Sequence, residues 1–138
     1  SQPASAAERA AGSPTALEVL DAAQAPDTDA ETAAALAEKT AGLRIMSDQE
    51  RSEISCTDLG AAVLVVSQFT LAADTRGGNR PSFTQAAAPD DGRRLYDHFV
   101  ERARALHPVV GTGRFAAEMQ VHLVNDGPVT IWLDTAAR

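Results

Sequence analysis

Two hydroxyls, an amide and an aromatic ring come directly after a strongly apolar run in the middle of the chain. Ser67, Gln68, Phe69 and Thr70 follow residues 63–66, which are all valine or leucine. A run this short and this rich in β-branched side chains predicts a central strand that is covered on both faces. Strand ends that present polar groups are common ligand sites in α/β proteins. The simpler alternative is a strand that turns polar only because it meets water.

The hydroxyls of this strand end are candidate nucleophiles without an obvious general base. A serine or threonine hydroxyl needs an adjacent base to attack a carbonyl. No candidate base lies at a sequence spacing from Ser67 or Thr70 that indicates such a pair. A hydrolase that pairs either hydroxyl with His122 is therefore a disfavoured alternative. Backbone N–H groups offer another chemistry, because they can hold a developing oxyanion.

A second candidate site is the stretch Asn125, Asp126, Gly127 and Pro128. These are turn residues between two apolar segments, and a plain β-hairpin would account for them without any function. However, an X–Pro bond adopts the cis form at modest cost. Backbone carbonyls held in a fixed direction can bind an ammonium group, so the turn is a candidate for binding the charged end of a substrate.

Five arginines in the middle of the chain are candidates for binding phosphates. The whole chain carries a formal net charge of −7, which argues against nonspecific binding of nucleic acids. The central part of the chain is nearly neutral, so its arginines can still bind phosphates locally. The alternative is a mixed, solvated surface. The five residues are Arg76, Arg80, Arg93, Arg94 and Arg114.

Several kinds of protein are not indicated by the sequence. The histidines His98, His107 and His122 lack metal-ligand spacing, so we expect no metal site and no cofactor. The single cysteine, Cys56, excludes an intrachain disulfide and fits a reducing compartment such as the cytoplasm. No apolar run is long enough to cross a membrane, and no signal-peptide pattern is visible.

Two helices are predicted from caps and periodicity. Thr28 and Glu31 have the spacing of a capping box, and Gly42 is a candidate C-terminal cap for the helix that follows. Pro89 begins a second helix that ends near Leu106, before Pro108. The apolar residues of this second helix recur at helical spacing and predict a buried stripe. They are Leu95, Phe99, Ala103 and Leu106.

Short strands are predicted around these helices. Residues 15–22 are either an edge strand or one helical turn. Residues 119–124 alternate between apolar and polar side chains, which is typical of a half-buried strand. Further strands are predicted at residues 43–46, 109–112 and 129–134, with Trp132 packed in the core.

Together, the strand end and the turn resemble the two signature motifs of the D-aminoacyl-tRNA deacylase family. The first is the sequence Ser-Gln-Phe-Thr-Leu at residues 67–71, and the second is Asn-Asp-Gly-Pro-Val-Thr at residues 125–130. They occur in the family's order and at a similar separation. The similarity covers residues 26–135, about four fifths of the chain. Other segments that look like family segments are residues 36–45, 74–83 and 112–134.

The resemblance implies a fold, an activity and an assembly. The fold would be a layered β/β/α arrangement of the α/β class, in which a mixed sheet packs with two helices. Family members hydrolyse the ester that joins a D-amino acid, or glycine, to the terminal adenosine of tRNA, which is chiral proofreading in translation. They act without a cofactor or a membrane, as homodimers with two sites at the subunit interface.

The resemblance also assigns roles to residues. Residues 67–70 would form the floor of the pocket, and Met119 matches a methionine that lines the adenosine pocket. Gly127 and Pro128, joined by a cis bond in the family, would enter the pocket of the other subunit in a motif that begins at Asn125. Their carbonyls would hold the α-ammonium group and exclude an L side chain. The 2′-hydroxyl of the adenosine would help to activate water, which fits the missing base.

The start of the chain departs from the family. Residues 1–25 match neither of the family's first two strands, and no residue can be assigned to the arginine that braces the Gly-Pro element in the family. We therefore expect a divergent, disordered leader at residues 1–25, whose first 14 residues are disordered or weakly helical. A deacylase-like domain is expected at residues 26–138, with N-terminal strands altered or missing. The alternative function is a catalytically degenerate member that binds tRNA ends or a protein partner without turnover.

Overall fold

A computed structural model describes residues 17–22 and 28–135 of the chain. Its sheet has three parallel strands in the order β1-β2-β3, with β2 in the centre. The edge-strand interpretation of residues 15–22 is the correct one over the part described, and the rest of the predicted leader lies outside the described residues. The strands are β1 (Leu17–Ala22), β2 (Ala62–Ser67) and β3 (Val110–Thr112).

The first long helix begins and ends slightly away from its predicted caps. Asp29, and not Thr28, is the N-cap, and its carboxylate accepts a hydrogen bond from the backbone N–H of Thr32 at 2.7 Å. A charged carboxylate is favoured at this position by the helix dipole as well as by the hydrogen bond. Gly42 is the last helical residue, and Leu43 is the C-cap. The helices are α1 (Ala30–Gly42), α2 (Cys56–Leu59) and α3 (Pro89–Leu106).

The central strand is buried on both faces, as predicted. On one face, Val63 and Val65 pack in a cluster with residues of α1 and α3. On the other face, Leu64 and Val66 pack with partly buried residues that follow α3. Helix α3 has its predicted bounds, and its apolar stripe is buried except at Leu106, which is half-buried.

Tyr96 ties helix α3 to the central strand. Its hydroxyl donates a hydrogen bond to the backbone carbonyl of Val65 at 2.8 Å. Burial raises the pKa of Tyr96 to about 12, so the hydroxyl keeps its proton and remains a donor at neutral pH. The same carbonyl also accepts a hydrogen bond from the backbone N–H of Gly113, at 3.0 Å, and therefore links α3, β2 and the end of β3.

Three predicted strands are absent, which corrects the sequence analysis. Residues 119–124 and 129–134 are irregular, and residues 43–46 contribute only a bridge between Met46 and Ile54. Trp132, predicted in the core, is 65% exposed. An alternating pattern yields a strand only when a neighbouring backbone supplies hydrogen bonds and a surface covers the apolar face. Neither is supplied to residues 119–134 by the described part of the chain.

The α/β class with two long helices is confirmed. The three described strands are parallel, whereas the family resemblance implies a mixed sheet. Antiparallel pairing among the described residues occurs only at isolated bridges, Met46 with Ile54 and Asp74 with Ser82. None of the described helices combines the length and the apolar character that a membrane crossing requires.

Candidate active site

The predicted strand end lies at the carboxyl edge of the parallel sheet. Strand β2 stops at Ser67, and a 3₁₀ turn from Phe69–Ala72 follows it. In this turn the backbone N–H of Leu71 donates to the carbonyl of Gln68 at 3.1 Å. The first N–H groups of a helical turn have no acceptor within the turn, and this turn begins at the edge where open α/β sheets bind ligands.

Two aromatic rings meet beside this turn. Phe69 is 60% exposed although it follows a buried strand. Its ring contacts the ring of Phe83 edge-on, with centroids 5.0 Å apart. Phe83 follows a loop that is closed by paired backbone hydrogen bonds between Asp74 and Ser82, at 2.8 and 2.9 Å. The loop thus supports an exposed aromatic surface of the kind on which a nucleobase can stack.

Met119 lies next to the same strand end. It is half-buried and packs against the cluster of Ala62, Leu64 and Val66, of which Val66 is the last buried residue of β2. Its sulfur lies 3.2 Å from the backbone nitrogen of Arg114. A side chain at Gly113 would place its Cβ 3.0 Å from the same sulfur. Gly113 therefore makes room for Met119, a role that the sequence analysis missed because the two residues meet only in the fold.

The Gly-Pro turn is held in shape by its own motif. The side-chain oxygen of Asn125 accepts a hydrogen bond from the backbone N–H of Val129, and its amide nitrogen donates to the hydroxyl of Thr130, both at 3.1 Å. Gly127 has φ = +129°, which is a conformation that favours glycine, and its bond to Pro128 is cis. Both polar ends of the Asn125 side chain are therefore used within the turn.

The predicted site residues form two separate groups in the chain. Residues 67–70 lie at the carboxyl edge of the sheet, and Met119 packs against the cluster that includes Val66, just before them. The turn belongs to residues 120–135, which we call the C-terminal arm. No hydrogen bond or ion pair between described residues joins the turn to residues 67–70. The arm is largely exposed, and Val124 is 91% exposed.

The candidate nucleophiles remain without a base. The hydroxyl of Thr70 accepts a hydrogen bond from the side-chain amide of Gln68. His122 lies in the C-terminal arm, 3.3 Å from the side-chain oxygen of Gln120. Among the described residues, no group of three or more His, Cys, Asp or Glu side chains is placed to hold a metal ion.

Comparison with known proteins identifies close relatives. The family model described as D-Tyr-tRNA(Tyr) deacylase matches residues 15–134. A protein from Paracidovorax citrulli named D-aminoacyl-tRNA deacylase is 70% identical over 121 residues, covering 87% of this chain and 77% of the relative. A protein of the same name from Variovorax paradoxus is 64% identical over 121 residues, covering 87% of this chain and 82% of the relative.

Solved structures share the fold. The c-Myc DNA Unwinding Element Binding Protein superposes with a TM-score of 0.79 at 30% identity, over 85% of this chain and 80% of its own. A structure described as a probable eukaryotic D-amino acid tRNA deacylase superposes with a TM-score of 0.65 at 17% identity. That second match covers 72% of this chain and 75% of the other, and it supports the fold alone.

Proposed function

Since the chain belongs to the D-Tyr-tRNA(Tyr) deacylase family, we propose that its edge site hydrolyses the ester of D-aminoacyl-tRNA. Water adds to the ester carbonyl, the bond to the ribose oxygen breaks, and the products are a free D-amino acid and tRNA with a free hydroxyl. Glycyl-tRNA is a second proposed substrate, and the cytoplasm is the proposed compartment. The observation that carries the proposal is the exposed turn of backbone and aromatic side chain at the end of the buried strand β2.

The strand end is proposed to hold the terminal adenosine and the ester. The exposed ring of Phe69 and the half-buried side chain of Met119 offer apolar surfaces for the base. The backbone N–H groups at the start of the 3₁₀ turn are suitable donors for the oxyanion that forms as water adds. Removing one such donor in other hydrolases costs about 10²–10³ in rate, so backbone donors can supply substantial catalysis without a nucleophilic side chain.

Activation of the water is assigned to the substrate. The hydroxyl of Thr70 has the amide of Gln68, and not a base, as its partner. A hydroxyl in that environment is a weak nucleophile. The 2′-hydroxyl of the adenosine lies beside the ester in every aminoacyl-tRNA and can orient the attacking water through a hydrogen bond. The protein then contributes position and electrostatic stabilisation.

The Gly-Pro turn is proposed to act in the site of a second subunit. The C-terminal arm leaves a set of apolar side chains in solvent, which is typical of a surface that another protein covers. In a homodimer the arm of one subunit would reach the strand end of its partner. The exposed apolar residues are Val121, Leu123, Val124, Val129, Ile131 and Trp132.

Chirality is proposed to be read by the carbonyls of Gly127 and Pro128. They would bind the α-ammonium group of the amino acid and leave no room for an L side chain. The clamp from Asn125 to Val129 and Thr130 holds the turn in shape before substrate arrives. Rigid exclusion of this kind discriminates by penalising the wrong substrate, and not by extra contacts to the right one.

The test is release of amino acid from D-Tyr-tRNA(Tyr) and L-Tyr-tRNA(Tyr) by the purified chain. We expect rapid release from the D ester and only the spontaneous rate with the L ester. Equal hydrolysis of both esters would contradict the chiral mechanism. Tight binding of tRNA without hydrolysis of either ester would favour the catalytically degenerate alternative.

A further inference from the structure

We propose that Arg80 and Arg114 bind backbone phosphates of the tRNA strand that leads to the terminal adenosine. The inference rests on the proposed function and extends it from the terminal nucleoside to the nucleotides before it. The site already described accounts for the adenosine, the ester and the amino acid. It does not account for how a chain with a net charge of −7 holds a polyanion.

The structure separates the five central arginines by their ion pairs. Arg76 donates to both carboxylate oxygens of Asp74, at 2.9 and 2.7 Å. These hydrogen bonds lower the pKa of Asp74 to about 2, so the pair is intact at neutral pH. The charge of Arg76 is thus balanced within its own loop.

Two of the other arginines are also paired. Arg93 lies 4.0 Å from Asp97, and Arg94 lies 3.7 Å from Asp91, each within helix α3. Arg80 and Arg114 are exposed, and neither forms a salt bridge with another residue in the described part of the chain. Within the described part of the chain, no carboxylate therefore competes with an external anion for these two guanidinium groups.

Both of these arginines lie in segments that contact residues of the candidate site. Arg114 comes two residues after β3, and its backbone nitrogen lies 3.2 Å from the sulfur of Met119. Arg80 lies in the loop that the Asp74–Ser82 bridge closes. Phe83, the residue after this loop, contacts the ring of Phe69. Each of the two residues proposed to contact adenosine is thus linked to one of these two exposed arginines, Met119 by a backbone contact and Phe69 through a closed loop.

The chemistry of a guanidinium group fits this role. Its planar fork of donors binds a phosphate through two parallel hydrogen bonds. Each phosphate neutralised on a single strand releases counterions and contributes a salt-dependence slope of about −0.7. A nucleoside ester lacking phosphates would gain nothing from either arginine.

The experiment measures kcat/KM on two substrates for the full chain and for three variants. The variants are Arg80→Gln, Arg114→Gln and the double variant. One substrate is D-aminoacyl-tRNA, and the other is the D-aminoacyl ester of adenosine, which has no phosphate. Arg104→Gln is the matched control, because Arg104 lies in the last turn of α3, away from the carboxyl edge of the sheet. Affinity for an uncharged RNA hairpin ending in the acceptor strand is measured in parallel.

We expect each single variant to lose about fivefold in kcat/KM on D-aminoacyl-tRNA at 0.1 M salt, with a shallower salt dependence. The loss should be absent on the adenosine ester and in the control variant. Equal activity of variants and control on tRNA, or an equal loss on both substrates, would overturn the proposal. If the wild-type chain hydrolyses neither substrate, the proposed function fails, and affinity for the hairpin still tests the two arginines.

Discussion

At the scale of single residues, the Gly-Pro turn depends on one backbone conformation that a side chain would disturb. Gly127 has φ = +129°, and a Cβ atom there would lie 3.0 Å from a methyl group of Val129 and 3.3 Å from its backbone nitrogen. The backbone conflict cannot be relieved by rotating a side chain. Thr70, by contrast, is exposed and contributes a hydroxyl whose partner is Gln68.

We therefore predict that Gly127→Ala is far more damaging than Thr70→Ala. A strained backbone of this kind costs about 1–3 kcal/mol, and misplacing the turn should lower kcat/KM on D-aminoacyl-tRNA at least about tenfold. Thr70→Ala should retain activity within about threefold, since the hydroxyl has no base. Gly42→Ala is the control, because a Cβ there meets nothing within 4 Å. An inactive Thr70→Ala with a normal Gly127→Ala would refute the backbone account.

At the scale of elements, some of the fold was predictable and some was not. Strand β2 was predictable because four consecutive apolar residues leave no exposed face. Helix α3 was predictable because Pro89 and Pro108 delimit it. The arm was predicted to form strands because its apolar and polar residues alternate. Alternation indicates that a segment can form a strand once another surface covers its apolar face. That surface does not follow from the segment's own sequence.

The candidate site shows the same division between local and distant information. Each of the two motifs is a contiguous stretch of sequence, so residues 67–70 and the turn could both be recognised. The fit of Gly113 against Met119 could not, because it depends on where the chain goes after β3. The hydrogen bond from Tyr96 to Val65 joins residues 31 positions apart, and no local sequence pattern predicts it.

That hydrogen bond yields a prediction for the docking of α3. Tyr96→Phe should lower the free energy of unfolding by about 0.5–1.5 kcal/mol, as expected for one buried hydrogen bond. The loss should lie in the lower part of that range, because the carbonyl of Val65 keeps its second donor, Gly113. Urea denaturation followed by circular dichroism measures it, with Arg44→Gln at an exposed position as the surface control. An unchanged midpoint would mean that the hydroxyl does not stabilise the packing.

At the scale of the whole molecule, a buried histidine should make stability depend on pH. His107 is buried, and neither of its ring nitrogens has a hydrogen-bond partner among the described residues. Burial lowers its pKa from the ordinary value of 6.5. Below pH 6.5, His107 is therefore protonated more readily in the unfolded chain than in the folded chain. The free energy of unfolding must then decrease as the pH falls.

We predict that the free energy of unfolding decreases below pH 6.5, with a contribution from His107 of at most about 1.4 kcal/mol for each pH unit. His107→Asn should flatten this dependence between pH 5 and 7, where carboxylates stay ionised. Urea denaturation at several pH values measures both proteins. Parallel curves for the wild type and the variant would show that His107 is not responsible.

The assembly gives the central claim its most direct test. Phe69→Asp should disable the strand end, and Gly127→Val should disable the turn, so each variant alone should be inactive. If a complete site combines the strand end of one subunit with the turn of its partner, an equal mixture of co-expressed variants forms half mixed dimers, each with one intact site. Activity on D-aminoacyl-tRNA should then recover to about a quarter of the wild-type value. A mixture as inactive as its two components would contradict a site shared between subunits.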